Sequence, residues 1–163
     1  MSIHLSQPAT DPDGLDDVRG LWMELHRHHR EVADYRDLVE DMEESWQRRR
    51  DWYRRLLDED AAYITASEDG RPVGYAMVTI TPGADDTFAS AGGGIAEVVT
   101  LVVAAAHRAG GVGTALLAAA EAYARERGAD TVRIAVMSGN DRAGAFYAAH
   151  GYAVAEQVLY RRL

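Results

Sequence analysis

The chain has 163 residues, a hydrophobic fraction of 47%, a charged fraction of 26% and a formal net charge of -9. These are the proportions of a soluble globular protein of one domain with a sizeable core. No apolar run approaches the roughly 20 residues of a membrane span, and the absence of cysteine excludes a disulfide framework, a thiol nucleophile and a thiolate metal site.

All 17 basic residues are arginine, which excludes a P-loop lysine and a Schiff-base lysine. An acidic surface repels nucleic acid, so no nucleic-acid partner is expected, and its long-range field favours cationic partners. Met1 to Ser6 shows neither a basic n-region nor an apolar h-region. No signal peptide is expected, and the simplest location is the cytoplasm.

Ile3 to Ser6 reads as a short strand. From Leu15 to Val32, Leu15, Val18, Leu21, Trp22 and Leu25 recur at helical spacing. A second helix is predicted from Glu44 to Leu57, with Trp46, Tyr53 and Leu57 on one face and Glu44/Arg48 and Asp51/Arg55 as i,i+4 pairs on the other. The period then changes. Ala62–Ala66 and Pro72–Ile80 read as strands about an Asp69-Gly70 hairpin turn, and 82–94 reads as a mobile loop. Ile95–Val103 is the strongest strand and is expected to be buried on both faces. A helix from Val112 to Glu126, a strand from Thr131 to Met137, a helix from Asn140 to His150 and a last strand from Tyr152 to Arg161 complete the chain. This order predicts an α/β (α+β) fold: a mixed central sheet flanked by helices, with residues 1–163 as a single domain.

Between the strongest strand and the clearest helix lies Arg108-Ala109-Gly110-Gly111-Val112-Gly113-Thr114. Glycines let backbone approach a ligand, and the first N–H groups of a helix have no internal partner, so the turn suits a pyrophosphate. A dinucleotide fingerprint would need glycine where Leu116 stands, and a Walker A loop would need lysine. The bland alternative is a glycine-rich connection without a ligand. Further on, Asn140, an N-cap residue type, shares a helical stripe with Ala143 and Tyr147. Taken singly, Tyr147 reads as a packing residue; beside the phosphate turn it reads as part of a site.

Arg108-x-x-Gly111-x-Gly113 resembles the coenzyme motif of the GNAT superfamily of N-acetyltransferases, and Asn140-x-x-Ala143-x-x-Phe146-Tyr147-x-x-x-Gly151-Tyr152 resembles the motif that follows it. Ala96–Val103 is similar to that family's central strand. Two positions depart from the pattern: Ala105 replaces a common proline and Ala109 the usual glycine. The resemblance implies the GNAT fold and acetyl-CoA as acyl donor. It implies an acetyl-CoA-binding core at 95–152, and an acceptor-side helical region at 1–60. The backbone of Leu101, Val102 and Val103 would hold the pantetheine arm as an added strand. Residues 108 to 114 would bind the pyrophosphate, Asn140 and Ala143 would contact the coenzyme, and Tyr147 would face the thioester sulfur.

The expected reaction is direct transfer of acetyl to a primary amine. A lysine-like amine is under about 0.1% unprotonated at neutral pH, so a base is needed. Glu97, which interrupts an apolar strand, is the candidate, its pKa raised by burial; a structural strand carboxylate is the alternative. Tyr147 is the expected acid or hydrogen-bond donor toward the departing thiolate. No metal is expected: His26, His28 and His29 read as surface histidines, and His107 and His150 as peripheral. Arg48, Arg49, Arg50, Arg54 and Arg55 read as a solvated, ion-paired face. Asp34, Asp37, Glu40, Asp41, Glu43 and Glu44 predict an acidic rim suited to a small cationic amine. A protein lysine or N-terminal acetyltransferase and a non-catalytic acyl-CoA sensor remain alternatives. A homodimer is compatible with so small a domain, although no residue establishes one.

Overall fold

The structure, a computed structural model, describes residues 2–82 and 93–163. Most of the loop expected at 82–94 lies outside the described residues. The elements are β1 (Ile3–Leu5), α1 (Arg19–Val32), α2 (Met42–Leu57), β2 (Ala61–Glu68), β3 (Arg71–Thr81), β4 (Gly94–Val103), α3 (Val112–Glu126), β5 (Ala129–Arg133) and α4 (Asp141–Ala149). The expected first helix starts instead as a 3-10 turn over Leu15–Val18. Among the described residues no helix is long and apolar enough to cross a membrane.

The mixed sheet flanked by helices is present. Its order is β1-β2-β3-β4-β5, antiparallel through β4, with β5 parallel to β4. Asp69 and Gly70 turn β2 into β3 with φ of 49° and 77°, the paired positive values of a type I′ hairpin. On one face α3 buries Val112, Leu116, Leu117 and Ala120 against Ile64, Val78, Ala96 and Val98. On the other, Trp22 of α1 and Trp46 and Tyr53 of α2 pack over Tyr75, Met77 and Val102. Side chains alternate along a strand, so each core draws on every second residue of β3 and β4.

One irregularity shapes the middle of β4. Met77 pairs with Thr100 and Val78 with Val98, which leaves Val99 as an extra residue, a β-bulge. Val99 and Thr100 both join the core under α1 and α2, while Leu101 returns to the α3 side. The expectation that β4 is buried on both faces is corrected: buried positions alternate with half-buried ones.

The end of the chain also differs from its expected course. β5 stops at Arg133 rather than Met137, and 152–161 forms no strand. Val154, Val158, Leu159 and Tyr160 stand exposed. Side-chain contacts hold this segment in place of a ladder: Tyr160 lies 5.6 Å from the Tyr35 ring, and Arg162 is 3.3 Å from Asp37.

Candidate active site

β4 and β5 share only a short ladder, from Gly94↔Ala129 to Glu97↔Arg133. Beyond that pair β5 ends, while β4 continues to Val103 with β3 as its one partner strand among the described residues. The two strands therefore form a fork. Ala104 donates its N–H to Val73 of β3, at 2.8 Å. Alternation along an antiparallel ladder then aims the backbone groups of Val103 and Leu101 away from β3, into the open side. An unpaired strand edge of this kind can accept an extended ligand.

β4 leads through Ala105–His107 into the glycine-rich turn and α3. Gly111 is the N-cap of α3 at φ 84°, and among the described residues no side chain caps the first turn. Ala109 is also left-handed, at φ 62°. The position where the resemblance leads one to expect glycine is thus one where an L-residue is strained. Gly113 sits close to its neighbours: a Cβ there would meet the Phe146 ring at 3.4 Å and Val103 at 3.7 Å. Residues 112 to 114 therefore present backbone N–H groups at a helix start, with the partial positive charge of that end.

Arg108 does not reach over this turn. Its Nε donates to the Val103 carbonyl and its Nη2 to Glu24 of α1, each at 2.9 Å. The same Glu24 oxygen accepts from Ala105 N–H at 2.9 Å. Arg108 braces the end of β4 against α1. Glu24 carries no local motif, and only the packing of α1 reveals it.

α4 supplies the other wall. Asn140 caps it by accepting from Ala143 N–H at 3.2 Å, the role its residue type predicts. Gly139, at φ 85°, lets the chain pass so close to α1 that a Cβ there would lie 2.0 Å from the Val32 carbonyl. Tyr147 is mostly buried against Phe146 and Tyr152, with ring centroids at 5.1 and 5.7 Å. Desolvation pushes its phenol up to about 12. His150, which sequence reasoning set aside, ties α4 to the turn. Its Nδ1 donates to the Phe146 carbonyl at 2.8 Å, so its Nε2 accepts from the Thr114 hydroxyl at 3.0 Å.

Glu97 stands at the point of the fork. One of its oxygens accepts from both Nε and Nη2 of Arg133, at 2.8 and 2.6 Å. It is half-buried rather than enclosed, and its partner is a cation that sequence reasoning missed. Only the parallel register of β4 and β5 puts Arg133 beside it. The acidic rim is likewise engaged. Asp34 accepts from Ser138, Asp37 pairs with Arg162, Glu40 with Arg30, Glu43 with Arg19 and Glu44 with Arg48, while Asp41 caps α2.

The acetyltransferase (GNAT) family model matches residues 22–152. The chain belongs to this family. Among solved structures, a GCN5-related N-acetyltransferase from Ralstonia eutropha JMP134 superposes with a TM-score of 0.76 at 19% identity, covering 99% of each chain. An acetyltransferase from Trypanosoma brucei gives a TM-score of 0.67 at 20% identity, over 99% of this chain and 100% of the other. The aminoglycoside N-acetyltransferase AAC(6')-Iy, solved in complex with CoA, gives 0.72 at 18% identity, over 100% of this chain and 97% of the other. At these identities the likeness is one of fold. No curated protein matches the chain.

Proposed function

We propose that the protein is an N-acetyltransferase that moves acetyl directly from acetyl-CoA to the primary amine of a small molecule. The observation that carries this reading is the continuity of the open edge at Leu101–Val103 with the uncapped start of α3. Extended pantetheine would lie along the first and the pyrophosphate on backbone N–H groups of the second. Arg108 holds that turn in place through Val103 and Glu24. Asn140 and Ala143 face the same ligand from α4. In domain terms, 95–152 is the donor half and the helices of 1–60 are the acceptor half.

The amine nitrogen attacks the thioester carbon, the C–S bond breaks, and coenzyme thiolate leaves. Glu97 takes the amine proton, directly or through one water, and Arg133 holds the carboxylate in position. With Tyr147 at about 12 and a thiol near about 8.5, full proton transfer to sulfur is uphill by about 5 kcal/mol. Tyr147 therefore acts as a hydrogen-bond donor to the charge developing on sulfur.

The ion pair on Glu97 favours a second reading, a non-catalytic acyl-CoA sensor. Thiol release from acetyl-CoA across a panel of amino acids, polyamines, aminoglycosides and lysine peptides separates the two. Enzymatic release with one class supports the transferase; micromolar coenzyme binding without release for any class supports the sensor.

A further inference from the structure

The six rim carboxylates are all engaged within the chain, whereas one half-buried arginine of α2 has no carboxylate partner among the described residues. Arg30, Arg49, Arg50 and Arg108 are the arginines that are half-buried among the described residues. Arg30 pairs with Glu40, Arg50 with Asp16 and Arg108 with Glu24. Arg49 has no carboxylate within ion-pair distance among the described residues. Burial of an arginine without such a partner is costly unless something else meets its charge.

Three aromatic rings surround this guanidinium. Its Cζ lies 3.9 Å from the Trp22 ring centroid, 4.7 Å from Trp52 and 5.6 Å from Tyr53. Rings satisfy the faces of a guanidinium but not the N–H donors along its edge. One of these donors is within hydrogen-bonding reach of the Tyr53 hydroxyl, and the others suit a planar oxyanion bound by two parallel hydrogen bonds. Tyr53 connects the cluster to β4, since its hydroxyl bonds Thr100 and lies 3.0 Å from the Tyr75 hydroxyl. Thr100 follows the bulge at Val99, on the sheet face that Glu97 shares by alternation. His29, nearby, has its pKa lowered to about 4 by burial and by the positive charges of His28, His26 and Arg49.

We infer that Arg49, held between Trp22 and Trp52, is a carboxylate-binding residue of the acceptor site, and that the acceptor is an amino-carboxylic acid rather than a polyamine. This deepens the transferase reading and rests on it for the position of the amine. The amine would lie toward Glu97 and its carboxylate toward Arg49.

The test compares L-amino acids with their methyl esters, and with spermidine, by thiol release at saturating acetyl-CoA. The free acids should exceed their esters in kcat/KM by about 10-fold or more. Arg49→Met should raise KM for the acids about 10- to 100-fold with kcat within about twofold, leave the esters unchanged, and be partly rescued by Arg49→Lys. Esters or spermidine outperforming the acids, or equal losses for acid and ester in Arg49→Met, would overturn the inference and leave the transferase intact. Tryptophan fluorescence gives a readout apart from turnover. N-acetyl amino acids should shift the Trp22 and Trp52 emission of the wild type but not of Arg49→Gln, and their methyl esters should shift neither. A shift without thiol release for any amine would keep the carboxylate site and defeat the transferase.

Discussion

Arg133 closes the point of the β4–β5 fork by donating two hydrogen bonds, of 2.8 and 2.6 Å, to a single oxygen of Glu97. The two residues are direct partners in the parallel register, so the ion pair forms where the strands separate. Among the described residues the other Glu97 oxygen accepts no hydrogen bond. A carboxylate oriented in this way is placed by the sheet rather than by its own rotamer preference.

Replacing Glu97 by Gln should lower kcat about 100-fold or more while the acetyl-CoA Kd stays within about twofold. Arg133→Met should lower kcat less, because the base persists without its brace, and Arg133→Lys should recover part of the loss. Thiol release and calorimetry on the same preparations measure both quantities. An unchanged kcat in Glu97→Gln would assign deprotonation of the amine to solvent.

Tyr147→Phe should reduce kcat about 10- to 100-fold with little change in coenzyme affinity, since one hydrogen bond to developing charge is lost. Burial raises this phenol to about 12, so the neutral donor persists at every pH below that value. The kcat profile of the wild type should accordingly show no fall attributable to Tyr147 up to about pH 10. Loss of activity with a midpoint near pH 9 that disappears in Tyr147→Phe would contradict this assignment.

Gly139→Ala should be severely destabilising, by more than about 3 kcal/mol, because it combines a left-handed φ of 85° with a Cβ 2.0 Å from the Val32 carbonyl. Ser138→Ala loses only the hydrogen bond to Asp34 and should cost about 1 kcal/mol. Urea unfolding of the pair separates a backbone requirement at 139 from a general weakness of this connection.

Ala109→Gly should stabilise the fold by about 0.5–1 kcal/mol. Relief of the left-handed strain at φ 62° exceeds the entropy that glycine adds to the unfolded chain. The thermal midpoint reports this directly, and coenzyme affinity should change little, because the donors of the turn are backbone groups.

His29 sets an acid limit on stability. Its folded pKa, about 4, lies below the unfolded value of about 6.5, so the unfolded chain binds the extra proton between them. Its contribution is present above pH 6.5 and is lost as pH falls through 4, by about 3 kcal/mol in all. His29→Gln should flatten the unfolding free energy across this window, measured in urea at pH 7 and pH 4.5.

Much of the fold was legible in the sequence because its signals are local. Trp46, Tyr53 and Leu57 recur at helical spacing and are buried as a stripe on α2. Asp69-Gly70 has the residue types of a tight hairpin, and Asn140 those of a cap, and both adopt those geometries. The strand expected at 152–161 failed for a complementary reason. Its alternation of apolar residues states only that a strand is compatible, and a strand exists only where a neighbouring edge pairs with it.

The amino-acid order by itself determined the family, the element order as far as α4 and the glycine-rich turn, since these depend on residues close together along the chain. Tertiary structure decided which charges meet. Glu97 with Arg133, Arg108 with Glu24, and Thr114 with His150 are separated by 36, 84 and 36 residues. Register and helix packing alone bring such partners within hydrogen-bonding distance. Long-range pairing also engaged Asp34, Asp37 and Glu43 of the acidic rim, while Glu40, Asp41 and Glu44 met partners nearer along the chain, and Arg49 was left among aromatic rings. A charge counted in sequence is an unpaired quantity, and its effect at a site depends on which partner the fold places beside it.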